Sequence, residues 1–306
     1  MRVLVTGAGG FVGQHLCRHL AAHGDEVLAL AGPADPQWHS FRAEITDAAA
    51  VRKAVEAARP EAIVHLAGFA SVASSQQDPS GTFAVNVMGT VNLLTAVRDT
   101  APKARVLVIG SAEMYGAVAP GLRVSEDAPF LPLSPYASSK VASEVAAFQF
   151  HRGSGVAAIG ARPFNHLGAG QRLNFVVPSF AAQLVAVRRR RTEPVLRVGN
   201  LDAVRDFAHV DDVVEAYRLL VHQGQPGQAY NVCSGQGRTI RSLLDRMIAL
   251  AEVEVRIDLD PARLRPSDIP SQVGDPGKLE RLGWRPSRTI DDALRDALAY
   301  AEEQAS

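Results

Sequence analysis

A tyrosine and a lysine lie four residues apart in the stretch SPYASSK, at Tyr136 and Lys140. If this stretch begins a helix, the two side chains project from one face about one turn apart. An ammonium group beside a phenol favours the phenolate, so we expect Lys140 to lower the pKa of Tyr136 and fit it for proton exchange with a substrate hydroxyl. Such a pair alone is also typical of a solvated helix face. Other residues must therefore decide whether the pair is catalytic.

A glycine-rich loop near the N-terminus indicates a cofactor for this pair. The stretch VLVTGAGGFVGQHL spaces Gly7, Gly10 and Gly13 as G-x-x-G-x-x-G, directly after an apolar strand pattern and directly before an amphipathic helix pattern. Glycine lets the chain turn sharply there and lets a pyrophosphate approach the backbone N–H groups at the helix N-terminus. The loop predicts dinucleotide binding, with Phe11 and Val12 as further contacts.

The residues expected around the adenosine leave the choice between NAD and NADP open. An acidic residue after the second strand would bind a ribose 2′-hydroxyl, and an arginine would bind a 2′-phosphate. Residues 30–33 are Leu, Ala, Gly and Pro, so neither signal is present. Glu44 and Ile45 follow the next strand, where the carboxylate of Glu44 could meet the adenine amino group.

Alternating strands and helices must position these residues. Short runs rich in Val, Ile and Leu alternate with segments of helical period up to residue 163, which predicts a parallel sheet with helices on both faces. We therefore expect a doubly wound α/β (Rossmann) domain over residues 1–163. Residues 164–306 are predicted to form a smaller α/β substrate-binding domain, with some chain crossing back to the first. Ser111 ends the strand VLVIGS at the carboxyl edge of the sheet, where ligands bind in open α/β folds.

Composition and charge exclude several classes of partner. The 306 residues include 32 basic and 32 acidic ones, so a nucleic acid or an acidic membrane surface is not indicated, and residues 188–191 (RRRR) are expected to be a solvated helix end. The two cysteines are too few for a disulfide framework, and the chain has no long apolar run, which favours the cytoplasm. His65, His166 and His209 are not spaced as metal ligands, so no metal is predicted.

Together, the glycine loop, Ser111, Tyr136 and Lys140 resemble the extended short-chain dehydrogenase/reductase family. The resemblance implies that Ser111 steadies a substrate hydroxyl or ketone, that Tyr136 is the general acid or base, and that Lys140 also holds the nicotinamide ribose. It further implies a homodimer through a four-helix interface and a bracing role for Asn86. The turn HLAG is implied to pass along the cofactor through Leu66, Ala67 and Gly68.

The second half resembles the members of that family that act on GDP-sugars, through the stretches RPFNHLGAGQ, VRDFAHVDD and LRPSD. The resemblance implies that Asn165 lies by the sugar and phosphates and that Arg205 and Arg265 meet the diphosphate, with Asp268 supporting Arg265 or the nucleotide. The function it implies first is reduction of the C4 ketone of GDP-4-keto-6-deoxy-D-mannose with NADPH or NADH, giving a GDP-6-deoxyhexose such as GDP-D-rhamnose.

Glu113 keeps two alternatives open. In a GDP-mannose 4,6-dehydratase, a carboxylate two residues after the serine or threonine removes the C5 proton, and SAEMYG has Glu113 at that position. A nucleotide-sugar C4 epimerase is the next alternative. A non-catalytic relative is disfavoured, because such proteins usually lose the tyrosine or the lysine and this chain has both.

Overall fold

The first six strands build one parallel sheet. The computed structural model describes residues 1–31, 37–119, 121–264 and 269–305. Within it the strands pair in the order β3-β2-β1-β4-β5-β6, and the central strands β1, β4 and β5 are almost wholly buried, as expected for a sheet covered on both faces. The strands are β1 (Arg2–Thr6), β2 (Glu26–Ala31), β3 (His39–Arg42), β4 (Ala62–His65), β5 (Arg105–Ile109) and β6 (Ala157–Pro163).

Helices connect these strands and cover the sheet. A π-helical turn, Ala84–Met88, joins α4 to α5, and a 3₁₀ turn, Ala112–Tyr115, follows β5. The helices are α1 (Phe11–Ala22), α2 (Ala48–Ala58), α3 (Val72–Gln77), α4 (Pro79–Phe83), α5 (Gly89–Thr100) and α6 (Pro135–Ser154).

The second half adds small sheets and further helices, and it returns to the first sheet. Its strand β10 pairs in parallel with β6 as a seventh strand, and its helix α8 packs on α1. The elements are β7 (Asn165–Leu167), α7 (Val176–Arg188), β8 (Val195–Val198), β9 (Val204–His209), α8 (Val210–Gln223), β10 (Ala229–Val232), β11 (Gly237–Thr239), α9 (Ile240–Ala251), β12 (Arg256–Leu259), β13 (Ser271–Gln272), α10 (Gly277–Glu280) and α11 (Ile290–Gln304). Strand β9 pairs with β7, β11 and β13, and β8 pairs with β12.

The doubly wound α/β fold predicted from the sequence is confirmed. Apolar cores cover both faces of the seven-stranded sheet, and a third core joins α7, α9 and α11 in the second half. Because β10 and α8 belong structurally with the first sheet, the chain crosses between the two halves. The exact division at residues 163 and 164 stays a prediction.

The continuous stretch Pro79–Thr100 is apolar and long enough, by length and composition alone, to cross a membrane. In this fold, however, α5 packs against α2 and α6, and Leu93, Leu94 and Val97 lie in the protein's own core. Within the described residues, α5 is therefore a helix of the protein core.

The residues around Ser134 determine where α6 begins. Ser134 is the N-cap and its side chain accepts a hydrogen bond from the N–H of Ala137, while Pro135 occupies the first helical position. Gly155 ends the helix with φ +72°, in the left-handed region that favours glycine. Tyr136 is thus fixed in the first turn of a 20-residue helix, and Lys140 follows one turn later.

Gly13 is predicted to be required for packing of α1 against the glycine loop. A Cβ at Gly13 would lie 2.3 Å from the Gly7 oxygen and 2.7 Å from the Ala8 oxygen, whereas a Cβ at Gly9 would meet nothing within 4 Å. We expect Gly13→Ala to lower the free energy of unfolding by about 1–3 kcal/mol. Gly9→Ala, the matched control, should change it by less than about 0.5 kcal/mol. Denaturant unfolding without cofactor measures both, and equal stability of the two variants would contradict the packing argument.

Candidate active site

Ser111 and Tyr136 meet at the carboxyl edge of the sheet. Ser111 follows β5 and caps the 3₁₀ turn, where its Oγ accepts a hydrogen bond from the N–H of Glu113 at 3.2 Å. Ser111 acts on the Tyr136 phenol as a neighbouring hydrogen-bonding group that lowers its pKa. Both residues are nearly buried, at 8% and 9% exposure, so their side chains are largely shielded from water. The structure thus brings together two of the residues predicted to form the site.

Lys140 lies next to this pair, and its side chain is partly buried. Its Nζ donates to the Ile109 carbonyl at 2.9 Å and lies 6.0 Å from the centroid of the Tyr136 ring. Burial lowers the pKa of Lys140 to about 8, because a charged amine is poorly solvated there. Lys140 therefore holds its proton less strongly than an exposed lysine, while it stays mainly charged at neutral pH.

The expectation that Lys140 lowers the pKa of Tyr136 is wrong for this structure. Burial of the phenol raises the pKa of Tyr136 to about 12, the hydrogen bond with Ser111 opposes that shift, and the charge of Glu113 adds to it. Desolvation of the phenolate outweighs the stabilising groups. In the cofactor-free protein, Tyr136 is accordingly a neutral phenol that can donate a proton.

Asn86 ties the turn after β4 to α6. Its Oδ1 accepts from the N–H of Phe69 at 2.7 Å, and its Nδ2 donates to the Ser139 Oγ at 2.9 Å. Asn86 belongs to the π-helical turn, an irregularity that re-aims side chains and is frequent at functional sites. The predicted bracing position of Asn86 therefore corresponds to a direct bridge between the turn containing Gly68 and α6.

Thr6 and His65 form a second bridge that the sequence interpretation did not assign to the site. The Thr6 Oγ1 lies 2.8 Å from the His65 Nδ1 and accepts from the N–H of Ala67 at 3.0 Å. The His65 Nε2 lies 3.1 Å from the Thr90 Oγ1. Burial, reinforced by the charge of Lys140, lowers the pKa of His65 to about 3, so the ring is neutral. The available signal was that both residues are polar and end neighbouring apolar strands, β1 and β4.

The glycine loop presents an open helix N-terminus. Gly7 has φ +71°, and a Cβ there would lie 2.8 Å from the Ala67 nitrogen, so the loop and the turn at Leu66–Gly68 approach closely. Gly10 caps α1 with an exposed backbone, and it has no side chain to cap the first N–H groups of the helix. Phe11 stacks on His166 at 6.0 Å between ring centroids, while Val12 packs against the core. These residues fit a dinucleotide whose pyrophosphate lies over the loop.

The residues assigned to the adenosine differ in burial. Glu44 lies two residues beyond the end of β3 and is exposed, so its carboxylate is available to a ligand. Ile45 is buried, and its carbonyl accepts a hydrogen bond from the Asn92 Nδ2 at 3.1 Å. Residues 32–36, after the second strand, are outside the described residues.

In the second half, β9 carries Arg205 beside β7, which begins at Asn165. The Arg205 Nη1 donates to the Val204 carbonyl at 2.9 Å, and Asn165 pairs in register with Phe207. The next residue, Asp206, is fully buried and accepts hydrogen bonds from the N–H groups of Ser234 and Gly235, both at 2.8 Å. The carboxylate of Asp206 therefore fixes β9 beneath Arg205, a role that the sequence interpretation missed. Arg265 and Asp268, predicted near the diphosphate, lie outside the described residues.

The three histidines considered as metal ligands are separated. His65 bonds with the two threonines, His166 stacks on Phe11, and the His209 Nε2 lies 3.0 Å from Asp296. Among the described residues, His19, His23 and Glu215 have potential ligand atoms within 4.8 Å of one another, on α1 and α8. His19 and Glu215 already pair directly at 2.7 Å, as a surface ion pair would. The expectation of no metal stays a prediction.

Comparison with known proteins connects this geometry to nucleotide-sugar enzymes. The model of the GDP-mannose 4,6 dehydratase family matches residues 4–297. The chain is 37% identical over 305 residues to a GDP-6-deoxy-D-mannose reductase of Pseudomonas aeruginosa, covering 99% of this chain and 98% of that relative. It superimposes with a TM-score of 0.90 on RMD from Pseudomonas aeruginosa complexed with NADPH, at 34% identity, covering 99% of this chain and 100% of that one. A UDP-glucose 4-epimerase of Thermus thermophilus in complex with NAD gives a TM-score of 0.89 at 31% identity, covering 98% and 99% of the two chains.

Titration of Lys140 can be observed directly, because the chain contains only the lysines at positions 53, 103, 140 and 278. We expect the Lys140 side chain to lose its proton near pH 8 in the cofactor-free protein, since burial disfavours its charge. Carbon-detected NMR of ¹³C-labelled lysine measures this, with Lys140→Met to assign the resonance and Lys53→Met as a matched control. A Lys140 resonance that titrates with an unshifted lysine pKa, about 10.4, would contradict the burial argument.

Proposed function

This chain belongs to the GDP-mannose 4,6 dehydratase family, and from that premise we propose that it is a reductase of the C4 ketone of GDP-4-keto-6-deoxy-D-mannose. The product is a GDP-6-deoxyhexose such as GDP-D-rhamnose. The cofactor is NADPH or NADH, in line with the NADPH and NAD held by the two structural neighbours. The observation that carries the proposal is the meeting of the buried Ser111 and Tyr136 side chains, with the amine of Lys140 6.0 Å from the centroid of the Tyr136 ring.

Bound nicotinamide supplies the hydride for the ketone carbon, and the protein must supply the proton for the ketone oxygen. We assign that proton to the Tyr136 hydroxyl, because a phenol whose pKa is about 12 is fully protonated at neutral pH. Ser111 is within hydrogen-bonding reach of the same phenol, which suits it to hold the ketone oxygen in line. The ammonium of Lys140 then offsets the negative charge that Tyr136 gains when it gives up its proton.

The other assigned groups would hold the two ligands. Gly7, Gly10 and Gly13 shape the pyrophosphate site, and Leu66–Gly68 borders it across the loop. Arg205 suits the diphosphate of a GDP-sugar, because a guanidinium can bind phosphate oxygens in a bidentate manner. Asn165 would contact the sugar, and Arg265 and Asp268 keep their proposed roles at the nucleotide.

A 4,6-dehydratase is the second candidate function, and Glu113 is the observation that favours it. Its charge raises the pKa of Tyr136, so the carboxylate acts on the same site, and it could remove a C5 proton there. Dehydration, however, starts by oxidising C4, which requires Tyr136 as a base. The similarity to the reductase of Pseudomonas aeruginosa supports reduction over dehydration.

We also propose a homodimer through α5 and α6, as the family resemblance implies. Met88, directly before α5, is 52% exposed, and Val145 on α6 is 53% exposed. Large apolar side chains on adjacent helices suit a two-fold contact between copies of the same chain. A cytoplasmic location is proposed as well, supported by Cys17 and Cys233, which are buried and form no disulfide with each other.

The reductase proposal predicts that the protein oxidises NADPH or NADH when given GDP-4-keto-6-deoxy-D-mannose. Tyr136→Phe should lower kcat by about 10²- to 10⁴-fold, because it removes the proton donor. Tyr300→Phe on α11 is the matched control and should keep full activity. Loss of nicotinamide absorbance and product chromatography give the measurement.

No turnover with either cofactor would overturn the reductase proposal. Conversion of GDP-mannose alone into a 4-keto product without net cofactor use would instead support the dehydratase.

The dimer proposal predicts that Val145→Glu yields a monomer, because a charge would be buried in the proposed contact. Leu259→Glu is the matched control: Leu259 is 63% exposed and lies on β12, away from α5 and α6. Size-exclusion chromatography with light scattering should show a dimer for the parent chain and for the control. A monomeric parent chain, or a Val145→Glu variant that stays dimeric, would count against this interface.

A further inference from the structure

A buried amide from the second half reaches the catalytic turn. The Gln272 Nε2 donates to the Ala112 carbonyl at 2.9 Å, and Gln272 is only 2% exposed. Ala112 lies between Ser111 and Glu113 at the start of the 3₁₀ turn. The contact joins parts of the chain that are 160 residues apart, so it is purely tertiary. A hydrogen bond shielded from water in this way is costly to leave unmade.

The backbone around Gln272 is anchored to the strand that carries Arg205. In the parallel pair of β13 and β9, Gln272 is the register partner of Arg205, and Ser271 is the partner of Val204. The backbone of Gln272 thus lies beside Arg205, a proposed diphosphate contact. Its side chain reaches Ala112, which is next to Ser111, a proposed catalytic residue.

Two further contacts keep this short strand from moving alone. The N–H of Gly274 donates to the Asp206 Oδ2 at 3.3 Å, and the N–H of Val124 donates to the Val273 carbonyl at 2.9 Å. Asp206 is the buried carboxylate that fixes β9. The segment that carries Gln272 is thus held on two sides, so its amide presents a fixed donor to the turn.

We propose that Gln272 is a positioning residue, whose hydrogen bond to Ala112 fixes the turn bearing Ser111 relative to the strand bearing Arg205. This inference rests on the proposed function, since it needs Ser111 at the ketone and Arg205 at the diphosphate. Gln272 itself contacts neither reacting group. Its hydrogen bond sets the distance between the diphosphate, which Arg205 would bind, and the ketone, which reacts. Proton transfer from Tyr136 depends on that distance.

The first test replaces Gln272 by methionine, which keeps the length of the side chain and removes the donor. We expect Gln272→Met to lower kcat for the keto sugar by about 10- to 100-fold, because small displacements of reacting groups are costly. KM should stay within about threefold, since binding by Arg205 is retained. Gln183→Met is the matched control: Gln183 bonds with Arg197 between α7 and β8, and its loss should leave kcat within about twofold.

A background without the Ser111 hydroxyl separates positioning from general destabilisation. If Gln272 acts through Ser111, then Gln272→Met should cost less than about twofold more in a Ser111→Ala protein, because the group it positions is gone. An effect on stability alone would lower kcat by the same factor in both backgrounds, and that result would overturn the proposal. A kcat of Gln272→Met within about twofold of the parent would overturn it too.

Gln272→Glu gives an independent readout, which also serves if the methionine variant does not fold. A protonated carboxyl can donate to the Ala112 carbonyl, and an ionised one cannot. The activity of this variant relative to the parent should therefore recover as the pH is lowered from about 8 to about 6, because burial raises a carboxyl pKa. A relative activity that does not change with pH would overturn the proposal. No turnover by the parent chain would overturn the proposed function and this inference together, whereas turnover with unaffected Gln272 variants would overturn this inference alone.

Discussion

The hydrogen bond from the Lys140 amine at the carboxyl edge of the sheet is the interaction on which the rest of the site depends. An ammonium that is partly withdrawn from water needs a close acceptor, and the Ile109 carbonyl at the end of β5 provides it at 2.9 Å. Burial, with a smaller contribution from the charge of Lys140, lowers the pKa of His65 to about 3, so its ring is neutral and can link Thr6 to Thr90. Those links fix the ends of β1 and β4 beside β5. Neutral polar groups thus hold two strand ends next to the cation on the third.

In the second half, a buried carboxyl group likewise holds separate segments together. Asp206 has no exposed surface, and burial raises the pKa of its carboxyl although it accepts hydrogen bonds from Ser234, Gly235 and Gly274. A buried carboxylate with several fixed donors has few alternative arrangements. It therefore joins β9 to the turn after β10, and β10 belongs to the first sheet. The crossing of the chain between the halves thus helps to hold β9 in a fixed position relative to the first sheet.

The sequence was sufficient for those parts of the site that depend on local spacing. The glycine loop, Ser111 at a strand end, and the pair Tyr136 and Lys140 on one helix all follow from patterns within about ten residues, which strand and helix periodicity determine. Contacts such as Gln272 with Ala112, or Thr6 with His65, join distant residues. No periodicity encodes them, so only the folded chain reveals them. The predicted direction of the Tyr136 pKa shift was wrong for the same reason. The spacing identified Lys140 as the neighbour of Tyr136, but burial, a property of the whole fold, determined whether the pKa rose or fell.

The direction of the Tyr136 pKa shift bears on whether a site starts by reducing or by oxidising C4. Reduction and dehydration of GDP-sugars share one exchange at C4, a hydride and a proton, run in opposite directions. A site that begins with reduction needs a neutral phenol, and a site that begins with oxidation needs a phenolate. Desolvation of Tyr136 and the charge of Glu113 both favour the phenol, against the single hydrogen bond from Ser111. Glu113 therefore need not act as a base at C5 to matter, because its charge helps to keep Tyr136 in the protonated form from which reduction of a ketone starts.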